Sequence, residues 1–427
     1  MNFRITLVAL LQMIFAGIAA AQPGKKINEK EVARIEATLS ADDMQGRKVF
    51  TEGIEKAGDF IANEFKTIGL GAFQGLTNYK QTFETKRTKF ISATGKINGQ
   101  EIAARDMIGF SDEEKINITE QSGWELKYVK EGEDLLASVT AIAANNKPSV
   151  ILVSTSFSSR FFSLKRFKRS DSKKTAPILF VLSDVQVFNF SLQFEQEVNT
   201  YKLTNIIGIL PGKTKPDEYV VFSGHYDHLG IGKANAEGDS IYNGANDDAA
   251  GITGVISLAN YFKQKKDNQR SIIFVAFTAE ETGGFGSKHF SGTINPDDVV
   301  AMCNMEMIGT QSQWGTNSAY ITGFDKSDLI NIMQKNVDSA SFKFHGDPYV
   351  KQNLFYRSDN ATLAALGVPA HTISTSNMDN DKTYHTQKDE FSSLDMKNMT
   401  MVIEAIGKSF TTIISGKDTP SRIPKRG

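Results

Sequence analysis

The spacing of apolar residues divides the chain into helical and strand-like stretches. In some stretches apolar positions recur every three or four residues, which is typical of helices that bury one face. The helices predicted from this spacing are Lys26–Ser40, Ile54–Ile68, Asp247–Phe262, a short one beginning at Ser287–Phe290, Leu329–Val337, Asp359–Leu366 and Leu394–Ile414.

Other stretches are short and continuously apolar, with many β-branched residues. Such runs are typical of strands covered on both faces, as in parallel sheets. The strands predicted in the second half of the chain are Leu203–Leu210, Tyr219–Phe222, Ile272–Phe277, Val299–Met305, Ala319–Ile321 and Ala370–Ile373. Because they alternate with helices, the pattern predicts an α/β fold with a mixed, largely parallel sheet and helices on both faces.

The pattern changes between residues 82 and 202, where short strand-like pieces alternate with polar turns. The predicted strands there are Phe90–Ile97, Leu126–Val129, Ser149–Val153 and Ile178–Leu182. We interpret 82–202 as a β-rich insertion and its basic stretch Ser159–Lys174 as a solvated loop. Residues 22–81 and 203–415 then form the main domain, and the charged, proline-containing tail 416–427 is predicted to be disordered.

The first 21 residues are predicted to be a secretory signal peptide. Arg4 provides a positive start, an apolar run follows to Ile18, and Ala19–Ala21 supply a small-residue cleavage site. The run is short for a membrane span, so we expect cleavage after Ala21 rather than a stable membrane anchor. The sequence therefore predicts an exported protein, either periplasmic or secreted.

Composition excludes some classes of function. The formal net charge of the 427 residues is −1, which provides no general attraction to nucleic acid. There is one cysteine, Cys303, so no disulfide can form within the chain. Cys303 lies in an apolar run and is predicted to be a core residue rather than a metal ligand.

Acidic residues and histidine follow the predicted strands at the point where each strand ends. His225 and Asp227 follow Tyr219–Phe222, the pair Glu280 and Glu281 follows Ile272–Phe277, and Glu306 follows Val299–Met305. Open α/β sheets place their ligand sites at the carboxyl ends of the strands. A lone acid such as Glu306, flanked by methionines, is costly to bury unless it is paired or binds a metal.

Two further motifs have residues suited to a metal site. Asp247 and Asp248 follow a glycine-containing approach, where one carboxylate can bridge two cations and the other can cap a helix. His385 lies in a polar loop beside Tyr384. The other four histidines, His228, His289, His345 and His371, have no comparable setting; we expect ordinary structural roles, although His228 is close enough in sequence to line the site.

Nitrogen and oxygen ligands without thiolate fit zinc, cobalt or manganese, and a paired Glu280 and Glu281 suits hydrolysis. In such a pair, one glutamate binds metal and the other takes a proton from the attacking water. The sequence lacks the GxSxG motif of a serine hydrolase.

This set of motifs resembles the M28 family of zinc peptidases, which includes di-zinc aminopeptidases. The matching pieces are GHYDHLG, NGANDDAAG, AFTAEETGGFGS, NMEMIG, FYRSDN and YHTQKDE, in the family's order. The resemblance implies a zinc-aminopeptidase-like fold and two zinc ions, with cobalt or manganese as substitutes. It also implies peptide substrates with a free N-terminus, and the insertion occupies the place of a protease-associated domain.

The resemblance also implies a role for each matching position. His225 and Glu306 would bind one zinc, Asp247 would bridge the two, and Glu281 and His385 would bind the second. Glu280 would be the general base for a bridging water, and Tyr384 would donate a hydrogen bond to the oxyanion. Asp227 would orient His225, Asp248 would follow Asp247 through a cis peptide, and Arg357 would lie near the substrate pocket.

Two positions depart from the family pattern. Glu306 is one methylene longer than the aspartate common in family aminopeptidases, and Asn360 stands where many relatives have an aromatic residue or histidine. We expect altered geometry at the first position and altered pocket specificity at the second. A carboxypeptidase or glutaminyl-cyclase-like enzyme on the same fold, or a non-catalytic zinc-binding scaffold, remain as alternatives.

Overall fold

A computed structural model describes residues 26–167 and 175–426. The predicted signal peptide, residues 1–21, and part of the predicted basic loop lie outside the described residues. Within the described ranges, no helix has the length and apolar character needed to cross a membrane.

Ten α-helices lie within the described ranges, and short 3₁₀ turns separate several of them. They are α1 Glu29–Leu39, α2 Glu52–Ile68, α3 Leu135–Ala144, α4 Ser158–Phe161, α5 Ala250–Lys265, α6 Phe285–Thr293, α7 Leu329–Lys335, α8 Asn360–Ala365, α9 Met396–Ser409 and α10 Thr411–Ile414.

Seventeen strands lie in the same ranges. They are β1 Gly71–Ala72, β2 Lys80–Ile97, β3 Gln100–Glu101, β4 Met107–Phe110, β5 Lys115–Thr119, β6 Glu125–Val129, β7 Ser149–Val153, β8 Ile178–Leu182, β9 Phe190–Leu210, β10 Lys215–His225, β11 Gly230–Ile231, β12 Ile241–Tyr242, β13 Arg270–Phe277, β14 Val299–Met305, β15 Ser318–Ile321, β16 Lys343–Gly346 and β17 Ala370–Ser374.

The largest sheet has the strand order β16-β15-β17-β14-β10-β13-β9-β2-β3. At its centre, β10 pairs in parallel with both β13 and β14, and β14 pairs in parallel with β17. Strand β9 joins β13 antiparallel. The predicted mixed, largely parallel sheet is therefore confirmed.

Helices cover both faces of this sheet because successive strand residues point to opposite sides. In β10, Val220 and Phe222 pack into one core, whereas Val221 packs into the other. Helices α1, α2, α5 and α9 bury their apolar residues in the first core, and α6 and α8 bury theirs in the second. The Phe222 ring contacts Phe262 of α5 and Phe410, the residue after α9, at 5.6 and 5.0 Å between centroids.

The insertion contains helices as well as strands. Its four-stranded sheet, β4-β8-β7-β6, packs with α3 around cores of its own. Two long antiparallel strands, β2 and β9, connect it to the central sheet and continue into that sheet without a break. The predicted β-rich insertion is thus a mixed α/β unit with a sheet of its own, and β2 and β9, which belong to the central sheet, attach it to the main domain.

Two predicted elements near the site and the chain end differ in extent. The helix predicted from Asp247 begins only at Ala250, because the backbone angles at Asp247 and Asp248 are not helical. The tail predicted to be disordered lies against the main domain instead. In the tail, Ile423 is buried and Arg422 donates hydrogen bonds to the carbonyls of Val299 and Pro296.

Candidate metal centre

Three neighbouring parallel strands bring the predicted ligands to one edge of the sheet. His225 is the last residue of β10, Glu280 and Glu281 follow β13, and Glu306 follows β14 directly. The register pairs His225 with Phe277 and Phe222 with Cys303, so these strand ends lie side by side.

One group of ligand-type atoms surrounds the His225 ring. Its Nε2 lies 3.1 Å from Asp247 Oδ1 and 3.3 Å from Glu306 Oε1. The other ring nitrogen, Nδ1, lies 3.0 Å from the backbone carbonyl of Asp227. When Nδ1–H donates a hydrogen bond to that carbonyl, the lone pair of Nε2 is free to bind a cation.

A second group surrounds Glu281. Its Oε1 lies 3.3 Å from His385 Nε2 and 2.9 Å from Nδ1 of His228. His385 Nε2 is also 3.1 Å from Oδ2 of Asp247. The two oxygens of Asp247 therefore face different histidines, and this carboxylate lies between the two groups.

The separations fit cation ligands. Two ligands on one zinc, each bound at about 2.0–2.2 Å, lie roughly 3–4 Å apart. The triads His225, Asp247, Glu306 and His228, Asp247, Glu281 each have ligand atoms that can converge on one ion. Nitrogen and oxygen donors of this kind suit zinc, cobalt or manganese.

The electrostatics of the centre also favour positive charge. Burial opposes charge on His225, yet the nearby Glu306 and Asp247 raise its pKa well above the ordinary value. Hydrogen bonds with Asp247 and Glu281 raise the pKa of His385 to about 10. Burial would raise the pKa of Glu281, but contacts with His228 and His385 lower it to about 2. The carboxylates thus favour positive charge beside both imidazoles. Divalent cations bound there would supply that charge in place of protons.

Asp227 and Asp248 position the backbone around the ligands. The carboxylate of Asp227 accepts the backbone N–H groups of Glu280 and Glu281 at 3.0 and 3.3 Å, so the carbonyl of Asp227, not its carboxylate, orients His225. Asp248 accepts N–H groups of His225 and Met307, and that of Gly251 at the start of α5. The Asp247–Asp248 peptide is cis, as the resemblance implied.

Glycine is required where α5 passes these acids. A Cβ on Gly251 would lie 2.3 and 2.4 Å from the Asp248 carboxylate oxygens and 2.4 Å from the Met305 carbonyl. A side chain at this position would displace both the helix and the carboxylate that secures His225.

Two cavities open beside the centre. One of about 90 Å³ is lined by ligands of both groups together with Glu280, Tyr384, Arg357, Tyr320 and Ser374. The other, of about 630 Å³, shares Glu280, Glu281 and Arg357 with the first and extends past Tyr356 and Lys288. The predicted catalytic and pocket residues therefore lie together along one cleft.

Comparison with known proteins gives the family. Residues 205–409 match the model described as "Peptidase family M28". Over these residues the chain is similar to peptidase family M28. The matched range contains all the predicted ligands and excludes both the insertion and residues 22–81.

Proteins similar to this chain include several named as peptidases. Leucine aminopeptidase 1 of Ajellomyces capsulatus (strain H88) is 25% identical over 61% of this chain and 68% of that protein. A probable zinc metalloprotease of Pyricularia oryzae is 34% identical over 26% of this chain. The aligned part spans 22% of that relative and 28% of a second, from Phaeosphaeria nodorum.

Solved structures share the fold over nearly the whole chain. BSAP, a zinc aminopeptidase from Bacillus subtilis, has a TM-score of 0.56 at 17% identity, covering 94% of this chain and 98% of that chain. An aminopeptidase from Aneurinibacillus sp. strain AM-1 has a TM-score of 0.55 at 16% identity, covering 94% and 95%. At such identities the likeness shows the fold alone.

Several residues of the centre were not predicted from the sequence. Ser358 donates a hydrogen bond to Glu306 Oε2 at 2.7 Å. Asp389 accepts the backbone N–H groups of Asn246 and Asp247 at 2.7 and 3.0 Å. Arg47, from the N-terminal part of the chain, lies beneath the loops. Ser358 lies within the FYRSDN motif and Asp389 within the YHTQKDE motif, four residues past His385, whereas none of the quoted motifs contains Arg47.

Other predictions about individual residues are settled by their contacts. His371 is a buried core residue whose ring nitrogens lie 2.7 and 2.8 Å from Ser327 Oγ and the Thr322 carbonyl. Cys303 is buried within β14, as predicted. Asn360 is buried too, and its amide donates to the carbonyls of Phe355 and Ala370. The departure at Asn360 therefore lies behind the pocket wall rather than in the pocket.

Proposed function

We propose that the chain is an exported di-zinc metallopeptidase that removes N-terminal residues from peptides. The observation that carries this proposal is the position of Asp247, whose two oxygens each lie 3.1 Å from a different histidine, His225 and His385. A carboxylate between two groups of ligand-type side chains is suited to bridging two cations.

The ligands of the two zinc ions would be His225 and Glu306 on one side and Glu281 and His385 on the other, with Asp247 shared. Bound zinc would polarise the scissile carbonyl and lower the pKa of the attacking water. The relatives named as zinc metalloprotease and leucine aminopeptidase support both the metal and the reaction.

Glu280 is the proposed general base. It lines both cavities, and its backbone is fixed by the Asp227 carboxylate. Burial raises the pKa of Glu280 well above its ordinary value, which increases the affinity of this carboxylate for a proton. Glu280 would take a proton from the attacking water and return it to the leaving amine.

Tyr384 is the proposed donor to the developing oxyanion. Its ring stacks on His385 at 3.9 Å between centroids, and it lines the smaller cavity. Burial raises the pKa of the phenol, so the hydroxyl keeps the proton that it would donate. A donor placed where charge develops stabilises the transition state more than the ground state.

The charge of the cleft favours a substrate with a free α-amine. Glu280, Glu281 and Glu306 line the smaller cavity and would attract an ammonium group. Arg357 lines both cavities, and the larger one offers space for the remainder of the peptide. The substrate's N-terminal side chain would then face Tyr320 and Ser374.

Export rests on the N-terminal apolar segment of the sequence, and cleavage of that segment would follow Ala21.

The alternatives differ in metal number and substrate. A glutaminyl-cyclase-like enzyme would use one zinc, whereas Asp247 lies between two groups of ligand-type side chains. A carboxypeptidase would require a free carboxylate on the substrate, for which Arg357 is the charged candidate in the cleft. A non-catalytic scaffold would bind zinc without hydrolysis.

A panel of aminoacyl-anilides, matched N-acetylated anilides and short peptides tests the proposal. We expect zinc-dependent hydrolysis of the free-amine substrates only, lost on chelation and reduced by about 10²–10⁴-fold in Glu280→Gln. Glu404→Gln, on the distant helix α9, is the matched control and should retain full activity. Equal hydrolysis of the acetylated partners, or none by zinc-loaded protein, would contradict the aminopeptidase proposal.

A further inference from the structure

His228 is a buried histidine that no predicted role explains. It lies three residues past His225, in the loop after β10, and is 2% exposed. Its backbone N–H donates to the Arg47 carbonyl at 3.2 Å. Gly244 packs against the ring so closely that a Cβ there would lie 2.6 Å from two ring atoms. The ring is therefore held in one orientation, facing Glu281.

The polar atoms of this ring lack partners. Within the described ranges, neither Nδ1 nor Nε2 of His228 makes a hydrogen bond of acceptable geometry, and neither does Glu281 Oε1. Nevertheless, His228 Nδ1 and Glu281 Oε1 lie only 2.9 Å apart. A buried polar atom without a partner costs about 1–3 kcal/mol. A cation bound by both atoms would satisfy them together.

The distances place His228 within reach of the second cation. Its Nδ1 is 2.9 Å from Glu281 Oε1 and 3.9 Å from Asp247 Oδ2. His385 Nε2 lies 3.1 and 3.3 Å from the same two oxygens. Ligands bound at about 2.0–2.2 Å lie at most roughly 4.4 Å apart, so each histidine is within range of both carboxylates.

We propose that His228 binds the second cation through Nδ1, beside Asp247, Glu281 and His385. The two sites are then unequal: the second has two imidazoles, whereas the first has only His225, together with Glu306 and the shared Asp247. Because of the additional ligand, the second site holds its cation more tightly and the first loses its cation earlier to a chelator. This inference rests on the proposed metal binding but not on the reaction or its substrate.

Proton NMR of the cobalt-loaded protein tests the proposal directly. Each histidine bound to Co²⁺ through one nitrogen keeps a proton on the other, which gives an exchangeable, strongly shifted signal. We expect three such signals, from His225, His228 and His385, and two in His228→Ala. Two signals in the unmodified protein carrying two cobalt ions would overturn the inference while leaving the proposed function intact. Protein that binds no cobalt or zinc would overturn both.

Metal affinity provides a second readout. We expect His228→Ala to weaken the second cation at least about 100-fold in a chelator competition, beyond the 10–100-fold typical of a residue that only supports a ligand. The affinity of the first cation should be almost unchanged. His289→Gln, a half-buried histidine stacked on Phe83, is the control and should leave both affinities unchanged. A loss below about 100-fold in His228→Ala, which a residue that only supports a ligand can also give, would contradict the role as a ligand.

Discussion

The two halves of the metal centre are built in different ways. The strand-end half, His225 and Glu306, consists of a residue that ends one parallel strand and a residue that directly follows the next. The loop half, Glu281, His228 and His385, lies on turns that other side chains hold in place. Sheet pairing fixes the first half, whereas buried polar and charged groups fix the second. The two halves should therefore respond to different mutations.

The largest effect is expected from Arg47→Met. Its buried guanidinium donates hydrogen bonds at 2.6–2.9 Å to four backbone carbonyls, those of Leu39, Tyr226, Asn243 and Gly244. Removing these donors leaves buried carbonyls unsatisfied, so we expect a loss of roughly 3–5 kcal/mol in unfolding free energy. Denaturant unfolding measures it.

Arg34→Met is the matched control for Arg47→Met. Arg34 pairs with Glu31 and Glu64 at the surface, with 43% of its side chain exposed, so its loss should cost below about 1 kcal/mol. A similarly small loss of stability in Arg47→Met would show that the loop half does not depend on the Arg47 guanidinium.

A pH effect of intermediate size is expected from Glu36, which lies beneath the loop half. Burial raises its pKa from 4.5 to about 8, and it accepts a hydrogen bond from Thr253. Between pH 4.5 and about 8, Glu36 keeps its proton in the folded protein but has released it in the unfolded chain. The free energy of unfolding therefore falls as the pH rises through this window. At pH 8, Glu36→Gln should be more stable than the unmodified protein by roughly 2–4 kcal/mol.

Urea unfolding of both proteins from pH 4.5 to 8.5 checks the Glu36 prediction. The two stabilities should converge towards pH 4.5, where the carboxyl is protonated in both states. Parallel pH profiles, with a constant difference, would contradict the raised pKa.

A smaller effect, confined to the strand-end half, is expected from Ser358→Ala. The variant loses the 2.7 Å hydrogen bond to Glu306 Oε2. Loss of a group that orients a ligand typically lowers metal affinity 10–100-fold, which is about 1.4–2.7 kcal/mol of binding free energy. Chelator competition should show this loss for the first cation only. Ser291→Ala, which removes a helical hydroxyl bonded to the Ser287 carbonyl, should leave both affinities unchanged.

The smallest effect is expected from Asp389→Asn. Asp389 accepts the N–H groups of Asn246 and Asp247, and asparagine retains one of the two acceptor oxygens. We expect the free energy of unfolding to fall by about 1 kcal/mol. Because both cations share Asp247, the affinity for each should fall by a similar factor of less than about ten. Asp395→Asn, which changes the cap of α9, should affect stability alone. Unequal weakening of the two cations would argue against a shared Asp247.

Whether a residue directly follows a strand decides what the sequence could predict. His225, Glu280, Glu281 and Glu306 follow apolar runs, and neighbouring parallel strands necessarily bring their ends together. The order of strands and the confirmed mixed sheet follow from the same periodicity. His385 lies on a loop; its polar setting made it a candidate for the site, and the family resemblance gave it a role as ligand of the second zinc.

Residues that hold the loops could not be predicted in this way. Arg47 is 179 residues from Tyr226, whose carbonyl it binds, and no periodic pattern connects them. Ser358 is 52 residues from Glu306. Asp227 was expected to orient His225, but spacing alone could not tell whether its backbone carbonyl or its carboxylate contacts the ring; in the structure it is the carbonyl.

Zinc titration of the metal-free protein, with activity followed at each step on leucyl-anilide and N-acetyl-leucyl-anilide, tests the central claim most directly. The account predicts two zinc ions per chain, bound with unequal affinities, and hydrolysis of the free-amine substrate alone. Saturation at a single zinc ion, or hydrolysis that does not distinguish the two substrates, would contradict it.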